Sequence, residues 1–375
     1  MIKIGIDARF LGPEGTGIGR YVKELIEGLQ EIDRENRYFI FIRSDNQALF
    51  IPRNPNFKKI IVNARWYTLR EQVLMPLKLI PINLDILHIP HFNIPVFYPG
   101  KIVVTIHDLI KTEFATSAAT SHSPLIYKLK HSVYEFVIRL AAKRALKIFV
   151  PSETVKEKLN KILKVSKRKI IVTYEGVGEN FKNKKLSDVE IRQVLYKYGV
   201  SSPYFLYVGN SYPYKNLKLI LETLKIIKLP LRFVFVSSRD IFSDELLEEA
   251  RNLQVEKNII LTGFVSDEDL AALYQGALFF VFPSLSEGFG IPGLEAFAAK
   301  IPLLASSIPT FREVYGKAAF YFDPFDPNDL AKKIEQISED KNLRDSLIEA
   351  GSKKLNKYSW LDLVRKTLET YREVS

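Results

Sequence analysis

Residues 278–295 read Leu-Phe-Phe-Val-Phe-Pro-Ser-Leu-Ser-Glu-Gly-Phe-Gly-Ile-Pro-Gly-Leu-Glu. Leu278–Phe282 is a short apolar run of the kind that forms a strand buried on both faces. A polar, glycine-bearing loop follows, then a helix predicted over Ile291–Ala299, whose first turn tolerates Pro292 because that position needs no amide donor. A buried strand, a functional-looking loop and a helix are the repeating unit of a parallel sheet covered on both sides.

The unit recurs in both directions. Upstream lie strand Tyr204–Val208, helix Leu217–Ile227, strand Arg232–Val236, helix Asp244–Leu253, strand Ile259–Leu261 and helix Asp267–Gln275. Downstream come strand Leu303–Ala305, the turn-rich Asp323–Asn328, and helical stretches 329–338, 342–355 and 360–374. The amino-terminal half repeats the rhythm: strands Ile2–Asp7, Tyr38–Ile42, Lys59–Val62, Asp85–His88, Ile102–Ile106, Ile148–Val150 and Lys169–Thr173, with helices at Tyr21–Ile32, Ser123–Lys143 and Glu153–Leu163. Between the halves, Tyr174–Ser202 is polar and breaks the alternation. The expectation is an α/β protein of two doubly wound, Rossmann-like domains, 1–175 and 186–355, facing across a cleft. Ligands of such sheets sit at the carboxyl ends of the strands.

Composition narrows the class. Of 375 residues, 47% are hydrophobic and 12% aromatic, which excludes wholesale disorder. There is no cysteine, so disulfides, thiolate metal sites and cysteine nucleophiles are excluded. The start reads as a strand and not as a signal peptide, and no apolar run reaches the ~18 residues of a bilayer span. A cytoplasmic protein is expected, at most peripheral to the inner face of a membrane. The formal charge is +11, favouring anionic partners. Thirteen basic residues against three acids fall between Ser123 and Ile170, a surface suited to an anionic membrane or equally to ordinary solvated helices.

Four motifs could carry chemistry. Gly12–Gly19 opens the first helix, where glycines permit close approach and free amides attract an anion, or simply make a turn. His107-Asp108 ends a strand; the histidine could meet a sugar hydroxyl or be held by backbone, and Asp108 would fix the loop. His88 and His91 read as loop residues, with Pro90 arguing against a helical metal pair. Gly209–Asn216 sets Lys215 beside a helix start, a corner suited to a diphosphate. Glu287 and Glu295, with seven residues between them in 278–295, could each accept hydrogen bonds from vicinal hydroxyls. A paired-carboxylate hydrolase and a buried structural Glu295 are the alternatives. Asp267-Glu268-Asp269 follows Ser266 and reads as a capped helix start, so no metal site is expected.

Taken together, GTGIGRY, TIHDL, VPSE, YEGV, YVGNSYPYKN, LTGFVSDEDL and PSLSEGFGIPGLEA resemble, in order along nearly the whole chain, the retaining nucleotide-sugar glycosyltransferases of group 1, family four, which have the GT-B fold. TIHDL with GN-x4-KN is similar to members that are mannosyltransferases, which implies GDP-mannose as a donor. The resemblance implies an acceptor-side amino-terminal domain with the helix from Trp360 packing back on it, and a carboxyl-terminal domain that binds the donor. It implies that Gly17, Ile18 and Gly19 approach the diphosphate, that His107 lies near the transferred sugar and that Lys215 binds the diphosphate. Val265 would receive the nucleobase. Glu287 would hold the hexose, Gly288, Phe289 and Gly290 would form the amide-bearing loop, and Glu295 would hold the ribose. His107, Lys215 and Glu287 are thus the expected catalytic residues. Asn210 stands where many members carry arginine, leaving Lys215 to carry more of the charge.

The activity so implied is metal-independent transfer of a hexose to a saccharide or lipid-linked acceptor, in cell-surface polysaccharide or glycolipid synthesis. No cofactor and no nucleic-acid partner are expected. Another GT-B enzyme, such as an epimerase or a phosphorylase, is the first alternative. A non-enzymatic polyanion-binding protein is the second.

Overall fold

In the computed structural model the chain forms two units: Met1–Glu175 with Ser359–Ser375, and Gly176–Tyr358. The structure describes all residues except 115–123, 179–180, 182–184 and 238–240. Part of the loop Thr112–Ser123 and part of the segment Tyr174–Ser202 therefore lie outside the described residues.

The first unit runs β1 (Lys3–Asp7), α1 (Thr16–Ile32), β2 (Arg37–Ile42), β3 (Phe57–Ile61), α2 (Leu69–Leu79), β4 (Ile86–Ile89), β5 (Ile102–Thr105), α3 (Ile110–Glu113), α4 (Pro124–Arg144), β6 (Ile148–Val150), α5 (Glu153–Leu163) and β7 (Ile170–Val172). All neighbours pair in parallel, in the order β3-β2-β1-β4-β5-β6-β7. Chain direction across the sheet reverses between β1 and β4. Helices α2, α4 and α5 follow strands that step the same way, so right-handed crossovers set them on one face. Met75, Ile138 and Leu159 accordingly share one core. Helix α1 covers the other face.

The second unit runs α6 (Asp188–Lys197), β8 (Tyr204–Val208), α7 (Leu217–Leu224), β9 (Arg232–Val236), α8 (Ile241–Asn252), β10 (Ile259–Leu261), α9 (Asp267–Gly276), β11 (Phe279–Phe282), α10 (Ile291–Ala298), β12 (Leu303–Ser306), α11 (Pro309–Tyr315), β13 (Ala319–Phe322), α12 (Pro327–Glu339) and α13 (Lys341–Leu355). Its parallel sheet has the order β10-β9-β8-β11-β12-β13, reversing between β8 and β11. Strand β11 is buried at every position, which is why its sequence shows an apolar run and no alternation. Tyr204 is tolerated inside the sheet because its hydroxyl donates to the Leu273 carbonyl at 2.6 Å.

The last helix, α14 (Trp360–Val374), belongs to the first unit. It lies on α1 at Gly28, where a side chain would come within 2.7 Å of Val364. Tyr371 Oη reaches His88 Nδ1 at 2.5 Å, and Arg372 pairs with Glu35 at 2.9 Å.

Several expectations need correcting. Helix α1 begins at Thr16 and not Tyr21, so Gly17, Ile18 and Gly19 are its first turn and not part of a free loop. His88 is a fully buried residue of β4, not a loop residue. Strand β13 and helices α2 and α11 are additions to the sequence reading: β13 is only four residues long, and prolines fall within α2 (Pro76) and at the start of α11 (Pro309).

Candidate functional site

In the second unit the chain reversal between β8 and β11 leaves the loops at their carboxyl ends side by side, with nothing of the sheet between them. After β8, Gly209 takes a φ of +149°, and a side chain there would crowd the Tyr207 hydroxyl at 2.8 Å. The chain then makes a tight turn over Pro213–Lys215, and Asn216 adopts the left-handed conformation with φ 59°. Its side-chain amide donates to the Pro283 carbonyl at 3.2 Å and to that of Pro324 at 2.8 Å. The Leu285 amide donates to the Tyr214 carbonyl at 2.8 Å. These bonds lock the loop after β8 to the loop after β11.

The locking brings Lys215 to Glu287. Lys215 Nζ lies 2.6 Å from Glu287 Oε1, and the Ser284 hydroxyl donates to the same oxygen at 2.7 Å. Among the described residues Oε2 takes no partner. The lysine also sits over the rings of Tyr214 and Phe282, at 5.3 and 5.8 Å. With side chains only 14% and 11% exposed, the pair is largely desolvated, and Lys215 is not the solvated side chain of an open cleft. Thr310 fixes the Glu287 carbonyl at 2.8 Å. Asn210 stands two residues past β8, and its side-chain Oδ1 is buried with no hydrogen-bond partner among the described residues.

Gly288, Phe289 and Gly290 follow, all buried. Gly290 has a φ of +109° and accepts from the Tyr315 hydroxyl at 2.6 Å, so only glycine fits the turn into α10. Phe289 packs edge-on against Tyr358, with ring centroids 5.4 Å apart. Glu295 lies one turn inside α10, buried, accepting from the Tyr274 hydroxyl at 3.0 Å. Tyr274 belongs to α9, the helix that starts just after Val265. Val265 is itself buried, whereas its neighbour Phe264 is exposed. The unit thus gathers a cation, a carboxylate with one oxygen unengaged, a glycine turn at a helix start and a second, buried carboxylate. That set could receive an anionic ligand carrying hydroxyls.

In the first unit the corresponding reversal lies between β1 and β4. Gly15 and Gly19 fold the post-β1 segment tightly: side chains there would strike the Phe10 carbonyl at 1.9 Å and the Gly12 carbonyl at 2.6 Å. Gly17 is different. Nothing lies within 4 Å of where its side chain would be, so packing does not account for a glycine in that turn. Ile18 stands beside it. His107, after β5, points Nε2 at the Pro90 carbonyl at 3.1 Å and Nδ1 at Glu175 Oε1 at 3.4 Å, with Tyr21 edge-on at 4.9 Å. Asp108 accepts from the Ile110 amide at 3.0 Å, closing the turn.

The residues expected to form a site therefore fall into two groups, one in each unit: Gly17, Ile18, Gly19 and His107 in the first, and Asn210, Lys215, Val265, Glu287, Gly288, Phe289, Gly290 and Glu295 in the second. Sequence reading missed the fully buried Arg9, which binds Asp7 Oδ2 at 2.7 Å and Glu71 Oε1 at 2.5 Å. Asn93 Nδ2 holds both oxygens of Glu71 at 2.9 and 2.8 Å. Burial still lifts the Glu71 carboxyl above its ordinary value, against the pull of Arg9. Charged residues at and just past the end of an apolar strand, Asp7 and Arg9, were the available signal.

His91 is buried beside Phe10, and Tyr67 Oη reaches its Nε2 at 3.1 Å. Asp269 has a structural role: Ser266 caps α9, and Lys197 at 2.6 Å and Tyr198 at 2.8 Å hold the Asp269 carboxyl below its usual range. Among the described residues no three histidine or acidic side chains converge to hold a metal. Arg144, one of the thirteen basic residues between Ser123 and Ile170, donates to the carbonyls of Val96 and Tyr98. No helix among the described residues is long and apolar enough to cross a membrane.

Two family models match, one described as glycosyl transferases group 1 over residues 196–354 and one as glycosyltransferase family 4 over residues 15–180. The chain is 25% identical over 344 residues to the O-antigen chain mannosyltransferase RfbU of Salmonella typhimurium, covering 88% of this chain and 89% of that one. It is 27% identical over 286 residues to the serotype-specific mannosyltransferase WbdA of Escherichia coli, covering 73% of this chain but 33% of WbdA. Among solved structures it is similar to Anabaena HepE in complex with UDP-glucose, with a TM-score of 0.79 at 15% identity over the whole of both chains.

Proposed function

Since the chain belongs to the group 1 glycosyl transferases of the GT-B fold and is a glycosyltransferase, we propose that it moves mannose from a nucleoside diphosphate sugar, GDP-mannose, to a saccharide or lipid-linked acceptor. The observation that carries this reading is the desolvated Lys215–Glu287 pair at the chain reversal of the second unit. An arriving diphosphate offers Lys215 a second anion, in a site where little water competes. Glu287 keeps Oε2 for hydroxyls of the hexose. Glu295 holds the ribose, and Val265 meets the base through its backbone. The mannosyltransferase names of RfbU and WbdA support mannose, and their O-antigen and serotype roles support cell-surface polysaccharide synthesis.

Transfer proceeds with retention of configuration. Negative charge grows on the departing diphosphate, where Lys215 and the start of α10 stabilise it, and the diphosphate accepts the acceptor's proton on the same face of the sugar. No metal or cofactor takes part. The protein works at the inner face of a membrane when its acceptor is a lipid, with the basic stretch 123–170 toward acidic headgroups.

The test is a thermal-shift panel of nucleoside diphosphates and their sugars, followed by transfer assays with an added acceptor and NMR of the new anomeric bond. GDP-mannose should stabilise the protein and give an α-linked product in the presence of chelator. Stabilisation by another donor alone, an inverted product, or activity that chelator abolishes and magnesium restores would each overturn the matching part.

A further inference from the structure

Glu175, where the first unit ends before the chain crosses to the second, is a buried carboxylate only 6% exposed. Among the described residues it takes no hydrogen bond and forms no ion pair with lysine or arginine. Its one charged partner is His107, whose Nδ1 lies 3.4 Å from Glu175 Oε1. Strand register brings the two together. Strands β5 and β7 flank β6 in the sheet. After β5 the Ile106 amide donates to the Phe149 carbonyl at 2.9 Å, and after β7 the Thr173 amide donates to the Val150 carbonyl at 2.8 Å. Both segments stay tied to β6 until just before His107 and Glu175, so these two leave the sheet at one level. Lys366 of α14 pins the end of β7 by donating to the Val172 carbonyl at 2.7 Å. Tyr21 of α1 stands edge-on to the imidazole at 4.9 Å, its own hydroxyl engaged with that of Thr105 at 3.0 Å.

A buried carboxylate with one partner needs charge from that partner as well as a hydrogen. His107 can supply both. Its other nitrogen, Nε2, faces the Pro90 carbonyl at 3.1 Å, and a carbonyl oxygen only accepts. With an acceptor at each nitrogen, a neutral ring would turn a lone pair toward one of the two oxygens. Only a ring with hydrogen on both nitrogens satisfies both. The other titratable groups around it leave that charge to His107. Burial pushes the Tyr21 hydroxyl well above its ordinary range, so it stays neutral. Burial, and then the like charge of His107, pulls His88 of β4 and His91 just after it well below theirs. Asp108, next in the chain, is turned to the Ile110 amide.

We propose that Glu175 is a positioning residue for His107, fixing its ring with hydrogen on both nitrogens and no lone pair left for the substrate. The inference deepens the transferase reading and rests on it for the place of His107 near the transferred sugar. A ring so held gives hydrogen bonds and positive charge but cannot take a proton. The acceptor hydroxyl therefore loses its proton to an oxygen of the departing diphosphate, while its own oxygen bonds the sugar carbon that the diphosphate leaves. His107 serves as a fixed cation and not as the base.

The test joins Glu175→Gln, which keeps the side chain's shape, to a direct view of the ring. NMR of the full chain with isotope-labelled histidine should show both His107 nitrogens carrying hydrogen at neutral pH, the signals being those lost in His107→Gln. In Glu175→Gln one nitrogen should show a lone pair. The variant's melting midpoint without donor checks that it is folded. Its kcat with GDP-mannose should fall about tenfold or more, the scale of a misplaced group, with the donor KM within about twofold. Wild-type kcat should decline as pH rises and His107 gives up its hydrogen, and in Glu175→Gln that decline should begin at lower pH. Glu175→Gln/His107→Gln should be no slower than His107→Gln alone, because Glu175 acts through the ring. A lone pair on the wild-type ring at neutral pH overturns the proposal. So does a Glu175→Gln enzyme with the wild-type kcat and pH profile, or a double variant whose losses add. If the chain moves no sugar to any acceptor, the catalytic part falls with the transferase reading. A doubly protonated ring that Glu175→Gln alters would still uphold the pair, so the two can fail separately.

Discussion

Lys215 and Glu287 stand 2.6 Å apart with little water around either, so each charge depends on the other. Replacing Lys215 by Ala removes the cation proposed for the diphosphate and should lower turnover by roughly a hundredfold or more. It also strands a mostly buried carboxylate with only Ser284 to satisfy it. The ligand-free folding midpoint should therefore fall by the equivalent of about 1–3 kcal/mol. Thermal unfolding of Lys215→Ala and of Lys215→Ala/Glu287→Gln separates the two effects: the double variant should recover stability without recovering turnover. His88 supplies a second prediction at this scale. Burial, with a smaller like-charge contribution from His107, pulls its pKa from 6.5 to about 3. Between those values the unfolded chain binds a proton that the native ring refuses, so stability falls as pH drops across that window, by up to about 1.4 kcal/mol per pH unit for this group. Denaturant melts of His88→Gln between pH 7 and 4 should show a shallower slope than wild type. An unchanged slope would mean that His88 is protonated in the native protein.

Among elements, the return of α14 to the first unit is decided at Gly28. Alanine there would favour the helix by about 1 kcal/mol, but its methyl would meet the fully buried Val364 at 2.7 Å. The overpacking should win, and Gly28→Ala should destabilise by about 1–3 kcal/mol. Because the cost is a collision and not a lost contact, Gly28→Ala/Val364→Ala should be less destabilised than the two single changes added together. Additivity in equilibrium unfolding would remove Gly28 from the account of how α14 docks. The completely buried bonds from Arg9 to Asp7 and Glu71 do the same work between β1 and α2.

At the scale of the whole molecule, two units with separate sheets should unfold as separable transitions. Lys215, Val265 and Glu295 all belong to the second unit, so a nucleoside diphosphate should stabilise chiefly that transition. At a hundred times its dissociation constant the gain is about 2.7 kcal/mol. Scanning calorimetry with and without GDP checks this, and an equal rise of both transitions would mean that the first unit holds the diphosphate just as firmly. The alternation of short apolar runs with helical periods was enough to read two doubly wound sheets, since each strand and helix is specified by residues adjacent in the chain. Glu287, Glu295 and Lys215 were legible for the same reason: each sits at a fixed distance from the end of its own strand. Which side chains meet was not legible. Lys215 and Glu287 are 72 residues apart, Arg9 and Glu71 are 62 apart, and His88 and Tyr371 are 283 apart. Parallel strands can become neighbours only across whole crossovers, so the partners at their ends depend on strand order, which no local period encodes. Helix α2 makes the point most plainly. Leu69, Val73 and Leu77 have the spacing of a core-facing stripe, and so do Met75 and Leu79; the packing of the sheet chose the second set and left the first facing outward.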